Sequence, residues 1–211
     1  MPAHSQTSTA AIVAAGRHLL EERGMDALTM RDVADAVGVR APSLYKRVFS
    51  RGDLFRLILE DVADELASAL DTAASHGEPV ADVRAMAAAY RAFAHANPVA
   101  YALMYAPQAV PGATARSVPG APARAVRSSS RFLGVVTELA GPRDALPAAR
   151  TIVAWANGFI AMELAGAFRL GGDVEQAWDF GLDRVLTAVG RGAEDDRIHS
   201  MCAPPTTSRS S

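Results

Sequence analysis

Between Arg40 and Arg56 the sequence RAPSLYKRVFSRGDLFR carries five basic residues and a single acid, Asp53. Residues 1–56 have a formal charge of +2 and residues 57–211 a charge of −4, which together give the chain's −2. Guanidinium and ammonium groups interleaved with the hydroxyls of Ser43 and Tyr45 suit one kind of chemistry. They can neutralise phosphates, and an arginine can pair with the edge of a guanine. Catalytic patterns are missing by comparison. His4, His18, His76, His95 and His199 are scattered, and no glycine-rich phosphate loop appears. Asp61, Asp64 and Glu65 make an acidic helix face that reads as solvated surface rather than a metal site. The sequence therefore argues against an enzyme and calls for no cofactor and no metal.

The basic residues need a scaffold, and residues 29–56 supply its signals. Thr29 and Asp32 have capping-box spacing, and Val33, Ala34 and Val37 form an apolar helix face. Gly38 stands where that helix must stop. A second helix is expected over Ala41–Val48, with Pro42 tolerated in its first turn and Leu44 and Val48 facing inward. Ser50 and Asp53 repeat the capping spacing and open a third helix. A helix, a glycine turn and a second helix with a polar, basic free face is a helix-turn-helix, whose second helix enters a DNA major groove. Arg40 and Ser43 are placed for base edges, Tyr45 and Lys46 for phosphates. Thr29 offers a hydroxyl, while Arg47 and Arg51 are equally compatible with a solvated role.

The strings Thr29-Met30-Arg31-Asp32-Val33-Ala34, Gly38-Val39, Ala41-Pro42-Ser43-Leu44-Tyr45-Lys46 and Ser50-Arg51-Gly52-Asp53-Leu54 resemble the N-terminal domain of TetR-type transcriptional regulators. The resemblance implies DNA binding, with Tyr45 and Lys46 on phosphates, and the candidate DNA-binding residues are Thr29, Arg40, Ala41, Ser43, Tyr45 and Lys46. It departs at Val48, where the family usually has phenylalanine, and Phe49 follows it. The second half resembles the TetR-type regulators whose C-terminal domain carries a Trp-His-Gly signature. It does so through Tyr90 to Ala94, Asn97-Pro98, Tyr101, Leu103-Met104, Trp155 to Gly158 and the stretch from Gly171 to Gly181. Asn157 stands in the histidine position, directly before Gly158.

The expected fold is all-α, with about nine helices. A three-helix helix-turn-helix domain occupies residues 9–55, a ligand-binding and dimerisation bundle residues 56–192, and a disordered tail residues 193–211. Helices are expected at 9–24 (capped by Thr9, ended by Gly24), 53–75, 80–97, 99–106, 123–140, 145–169 and 173–190. The stretch 107–122, rich in Pro, Gly and Ala, is expected to be a loop. The 145–169 segment is almost uncharged, so it must be covered on most sides, and a second copy of the chain is the natural cover. Its Gly158, Ala161, Ala165 and Gly166 are small enough for close helix approach. Tyr90, Phe93, Met104, Tyr105, Trp155, Asn157, Phe159 and Met162 are the candidate lining of a ligand site, apolar with few polar anchors.

One cysteine, Cys202, fits a reducing cytosol, and the N-terminal MPAHSQTSTA lacks the features of a secretory signal. No apolar run reaches the ~18 residues a membrane helix needs. The expected protein is a cytoplasmic homodimer that binds palindromic double-stranded operator DNA, acts as a repressor and is released by a small lipophilic effector. Two alternatives stay open: a regulator of this fold controlled by a protein partner, and an all-helical small-molecule binding protein that does not bind DNA.

Overall fold

The computed structural model describes residues 8–105 and 123–202. Nine α-helices and no strand occur among them: α1 Thr9–Ala27, α2 Met30–Ala36, α3 Ala41–Leu44, α4 Arg51–Ala73, α5 Pro79–Ala96, α6 Pro98–Tyr105, α7 Ala123–Ala140, α8 Ala145–Leu164 and α9 Val174–Cys202. The expected loop over 107–122 lies outside the described residues, as do 203–211.

Several boundaries differ from expectation for local reasons. Ser8, not Thr9, caps α1, accepting from the Ala11 N–H at 3.1 Å. Gly24, at φ 77°, breaks the helical path as expected, but one further turn follows it before Leu28. Helix α8 ends at Leu164, short of the expected 169. Helix α9 continues to Cys202. The first ten residues of the segment read as a tail are therefore helical, and no proline interrupts them before Pro204.

The chain groups into two compact units, Met1–Leu70 with Ala89–Ser128 and Asp71–Ala88 with Ser129–Ser211. Helices α4 and α5 each run from one unit into the other. The first unit is built on Ile12, Leu20, Leu28, Val33, Leu44, Val48, Leu54, Phe55, Ile58 and Val62, all essentially inaccessible to solvent. Phe93, Ala100 and Leu103 join the same core from α5 and α6.

Polar contacts fix α6 onto α1 inside this unit. The Glu21 carboxylate accepts from the backbone N–H groups of Val99 at 3.0 Å and Ala100 at 2.9 Å. It thereby caps a helix start 78 residues away in sequence, where the free N–H groups carry partial positive charge. Asn97, the residue just before α6, is otherwise engaged. Its side chain donates to the Phe93 carbonyl at 3.1 Å and accepts from Arg17 at 2.6 Å. Arg17 also pairs with Asp61 at 3.1 Å and with Glu65 on α4. Burial alone would lower the Arg17 pKa, but Glu65 and Asp61 outweigh it and raise it. Glu21→Ala strands two helix-end donors, one belonging to the fully buried Ala100. We expect a loss of about 1–2 kcal/mol in urea denaturation, partly restored by Glu21→Gln, which keeps one acceptor oxygen.

In the second unit, Val83, Met86, Val136, Ala140, Ile152, Ala156, Ile160, Trp178, Leu182 and Leu186 are buried. The start of α5 is held by Asp82, which accepts from the His76 backbone N–H at 2.8 Å and the Gly77 N–H at 3.2 Å and sits 3.1 Å from His76 Nδ1. These contacts, led by the His76 N–H, hold its carboxyl below the usual carboxylate range despite its burial.

Candidate nucleic-acid interface

The helix-turn-helix is built from local hydrogen bonds. Thr29 caps α2, accepting from the Asp32 N–H at 3.2 Å, and its own proton points at the Asp32 carboxylate. That hydroxyl contact is the main reason the Asp32 pKa is lowered, with Arg23 at 3.5 Å adding to it. At the other end of α2, the Gly38 N–H returns to the Asp35 carbonyl at 3.1 Å and the Val39 N–H to the Ala34 carbonyl at 2.9 Å. This closing pattern requires a left-handed residue, and Gly38 supplies it with φ 70°.

The second helix is shorter than the expected 41–48: regular α-helix covers Ala41–Leu44. The winding nevertheless continues, with the Arg47 N–H donating to the Leu44 carbonyl at 2.9 Å and the Val48 N–H to the same carbonyl at 3.0 Å. Leu44 and Val48 are fully buried, as their four-residue spacing requires. Val48 fills the core position in which the resemblance leads one to expect phenylalanine. Arg40 is the N-cap of α3, but its side chain makes no capping bond.

Burial and pairing divide the five cations. Arg51 turns inward, donating to the Leu28 carbonyl at 2.9 Å and to the Met25 carbonyl, and stacks 5.3 Å over the Phe55 ring. Arg56 is bound by Asp53 at 2.7 Å and by both oxygens of Glu60 at 2.8 and 2.9 Å. Arg40, Lys46 and Arg47 are exposed, and their side chains have no hydrogen-bond or ion-pair partner among the described residues. Ser43 and Tyr45 are exposed beside them, and Ala41 sits half-buried at the start of the helix. The free positive charge of the segment thus resides on three side chains spanning eight residues. Arg47 belongs with Arg40 and Lys46, a grouping that composition alone could not make. The Thr29 hydroxyl, by contrast, is engaged with Asp32 at the start of α2.

The candidate ligand residues fall into two groups. In the first unit, the Tyr90 hydroxyl meets those of Tyr101, at 3.4 Å, and Tyr105, with the rings packed edge-on at centroid distances of 5.7 Å for Tyr90–Tyr101 and 5.3 Å for Tyr101–Tyr105. Burial, then the neighbouring Tyr105 and Tyr101, push the Tyr90 pKa far above the ordinary phenol value, so its hydroxyl keeps its proton. Phe93 is part of the main core of this unit and Met104 packs against it. In the second unit, Trp155, Phe159, Phe168 and Trp178 form one aromatic cluster, with centroids between 4.8 and 5.7 Å apart. Phe159 lies at its centre, in contact with the other three rings, and the buried Trp178 brings α9 into it. Asn157 and Glu163 are half-buried and engaged, and Met162 is exposed.

The model of bacterial regulatory proteins of the tetR family matches residues 12–58, which contain the whole helix-turn-helix and its three exposed cations. The tetracyclin repressor-like C-terminal domain model matches residues 83–185. The chain belongs to the TetR family, a family of transcriptional regulators and not of enzymes. Among curated relatives it is similar to the HTH-type transcriptional regulator Rv1816 of Mycobacterium tuberculosis, 37% identical over 108 residues. That match takes in 49% of this chain and 45% of the relative, so the chain spans about half the length of the curated relatives it matches. Among solved structures, a protein of unknown function from Rhodococcus sp. RHA1 has a TM-score of 0.74 at 27% identity, covering 90% of this chain and 99% of that one. BioQ, solved with its double-stranded DNA operator, has a TM-score of 0.61 at 19% identity, covering 87% of this chain and 98% of that one, and shares the TetR fold. Among the described residues, no helix is long and apolar enough to cross a membrane.

Proposed function

We propose that this TetR-family chain is a cytoplasmic, dimeric transcriptional repressor that reads a palindromic operator and releases it on binding a small lipophilic effector. The observation that carries the proposal is the trio of unpaired cations, Arg40, Lys46 and Arg47, on the reading segment of a complete helix-turn-helix. Arg40 and Ser43 face base edges, while Tyr45, Lys46 and Arg47 contact phosphates. Thr29 and Ala41 approach the backbone at the starts of their helices. One such segment reads only a few base pairs, and two-fold pairing supplies a second half-site about one helical turn away or a multiple of it.

Support for pairing comes from α8 and α9, where Leu146 and Val153, on one side of α8, and Phe180 on α9 leave 40–61% of their surfaces exposed. An apolar face of this kind suits a second copy of the chain, with residues 56–192 as the pairing and sensing domain and 9–55 as the reader. The second unit offers an effector the apolar rings of Trp155 and Phe159 with Asn157 as a polar anchor, and the first unit separately offers Tyr90 and Tyr105, with Phe93 and Met104 in the same unit. Because α4 and α5 run through both units, a change in one has a covalent route into the other.

Footprinting on the DNA flanking the protein's own gene, with and without a panel of lipophilic compounds, tests the proposal, and sedimentation measures the assembly. A two-fold symmetric footprint lost in the presence of a compound is expected. Absence of any protected site, or a monomer at the protecting concentration, overturns it.

A further inference from the structure

Phe49 is the feature that the proposed reading leaves unexplained. Its neighbour Val48 is fully buried and completes the core under the reading helix, whereas 79% of the Phe49 surface is open to solvent. Its backbone position is fixed. The Phe49 N–H donates to Asp53 at 3.0 Å, the Asp53 N–H donates to the Ser50 hydroxyl at 3.1 Å, and Arg56 holds the Asp53 carboxylate. The backbone that carries the exposed ring is therefore anchored to the start of α4, and its own N–H is not available to a phosphate. Two residues before it comes Arg47 and three before it Lys46, both unpaired and exposed. An aromatic ring held beside two free cations on a helix-turn-helix is a surface for a partner that is at once anionic and apolar.

A DNA strand offers both, as phosphates alternating with the C–H faces of deoxyribose. In a helix-turn-helix the bases are read from the N-terminal end of the second helix, which here is the Arg40–Ser43 end. Phe49 lies beyond the other end, on the side of the backbone. Resting on the DNA-reading assignment, we infer that Phe49 packs against a deoxyribose of the operator between the phosphates held by Lys46 and Arg47. The contact adds affinity without reading sequence. Because it displaces no counterion, it also adds affinity without salt dependence.

Binding is measured by fluorescence anisotropy across a salt series, on duplexes that the wild-type protein selects from a random library and on their single-base variants. Phe49→Ala is expected to bind about tenfold more weakly at every salt concentration, with an unchanged log–log slope and an unchanged order of preference among the variants. Phe49→Leu falls between the two, and both keep the wild-type melting temperature because the ring supports no core. Lys46→Ala in the same assay lowers the slope. Wild-type affinity for Phe49→Ala overturns the contact, as does a changed slope. A loss confined to duplexes with thymine at one position also overturns it, because that pattern means a base contact. If the wild-type protein enriches no duplex at all, the DNA-reading assignment fails and the contact with it.

Discussion

The double substitution Arg40→Ala, Lys46→Ala is expected to weaken operator binding by about a hundredfold or more, while leaving the protein as stable as the wild type. The two halves of that expectation have one cause. Both side chains are exposed and make no bond within the described chain, so their removal costs the fold no more than ~0.5 kcal/mol. Their value lies wholly in the complex, where each base or phosphate contact contributes about 1–3 kcal/mol. In a two-fold dimer every substitution removes two contacts, so even modest single values multiply. The singles separate the roles. Lys46→Ala should weaken binding to all sequences alike and lower the slope of log affinity against log salt by about one per phosphate lost. Arg40→Ala should in addition change which bases are preferred at its half-site position. Anisotropy titrations over a salt series, on the preferred operator and its single-base variants, provide both readings. A Lys46→Ala protein that binds as well as wild type at every salt concentration removes that lysine from the interface.

This prediction also shows how far the sequence carried the reading site. The cap at Thr29, the stop at Gly38 and the inward pair Leu44 and Val48 are local features, governed by contacts three to five residues apart, and they were legible as spacing. The fate of the cations was not. Arg51 and Arg47 look alike in sequence, yet Arg51 reaches carbonyls 23 and 26 residues away, whereas Arg47 remains in solvent. Such long-range partners leave no periodic trace. The same limit applies to the ligand candidates. An apolar residue at helical spacing fits a core and a cavity equally well, and Phe93 went into the core shared with Ile12 and Leu20. Glu21 reads as an ordinary charged residue of α1 until the start of α6 is placed against it.

Gly181→Ala is expected to be the most damaging single methyl group that can be added to the second unit, at about 3 kcal/mol. Small residues were legible in this half of the chain, and those of α8 were read as allowing close approach of a second copy. Gly158, Ala161, Ala165 and Gly166 on or just after α8 were the expected points of close approach. Within one chain Gly158 and Gly166 have nothing within 4 Å of the place a Cβ would occupy, and all four are exposed. Within the chain, the close approach is made from α9. A Cβ on Gly181 would stand 2.5 Å from Cζ2 of Trp155 and 3.0 Å from its Cε2. A rigid indole cannot yield as the end of a flexible chain would. Its ring is packed 4.9 Å from Trp178 and 5.7 Å from Phe159, so moving it disturbs the whole aromatic cluster. Helix α9 must shift outward or Trp155 must leave its rotamer, and each route opens space around a buried Trp178. Because α8 and α9 also carry the exposed apolar face assigned to pairing, a change in their separation should reach the dimer as well. The expected result is a lower thermal midpoint together with a larger dimer dissociation constant in sedimentation. Trp155→Phe in the Gly181→Ala background, by shrinking the ring that the new methyl strikes, should restore part of both. A Gly181→Ala protein with wild-type melting and pairing would mean that the two helices do not meet there.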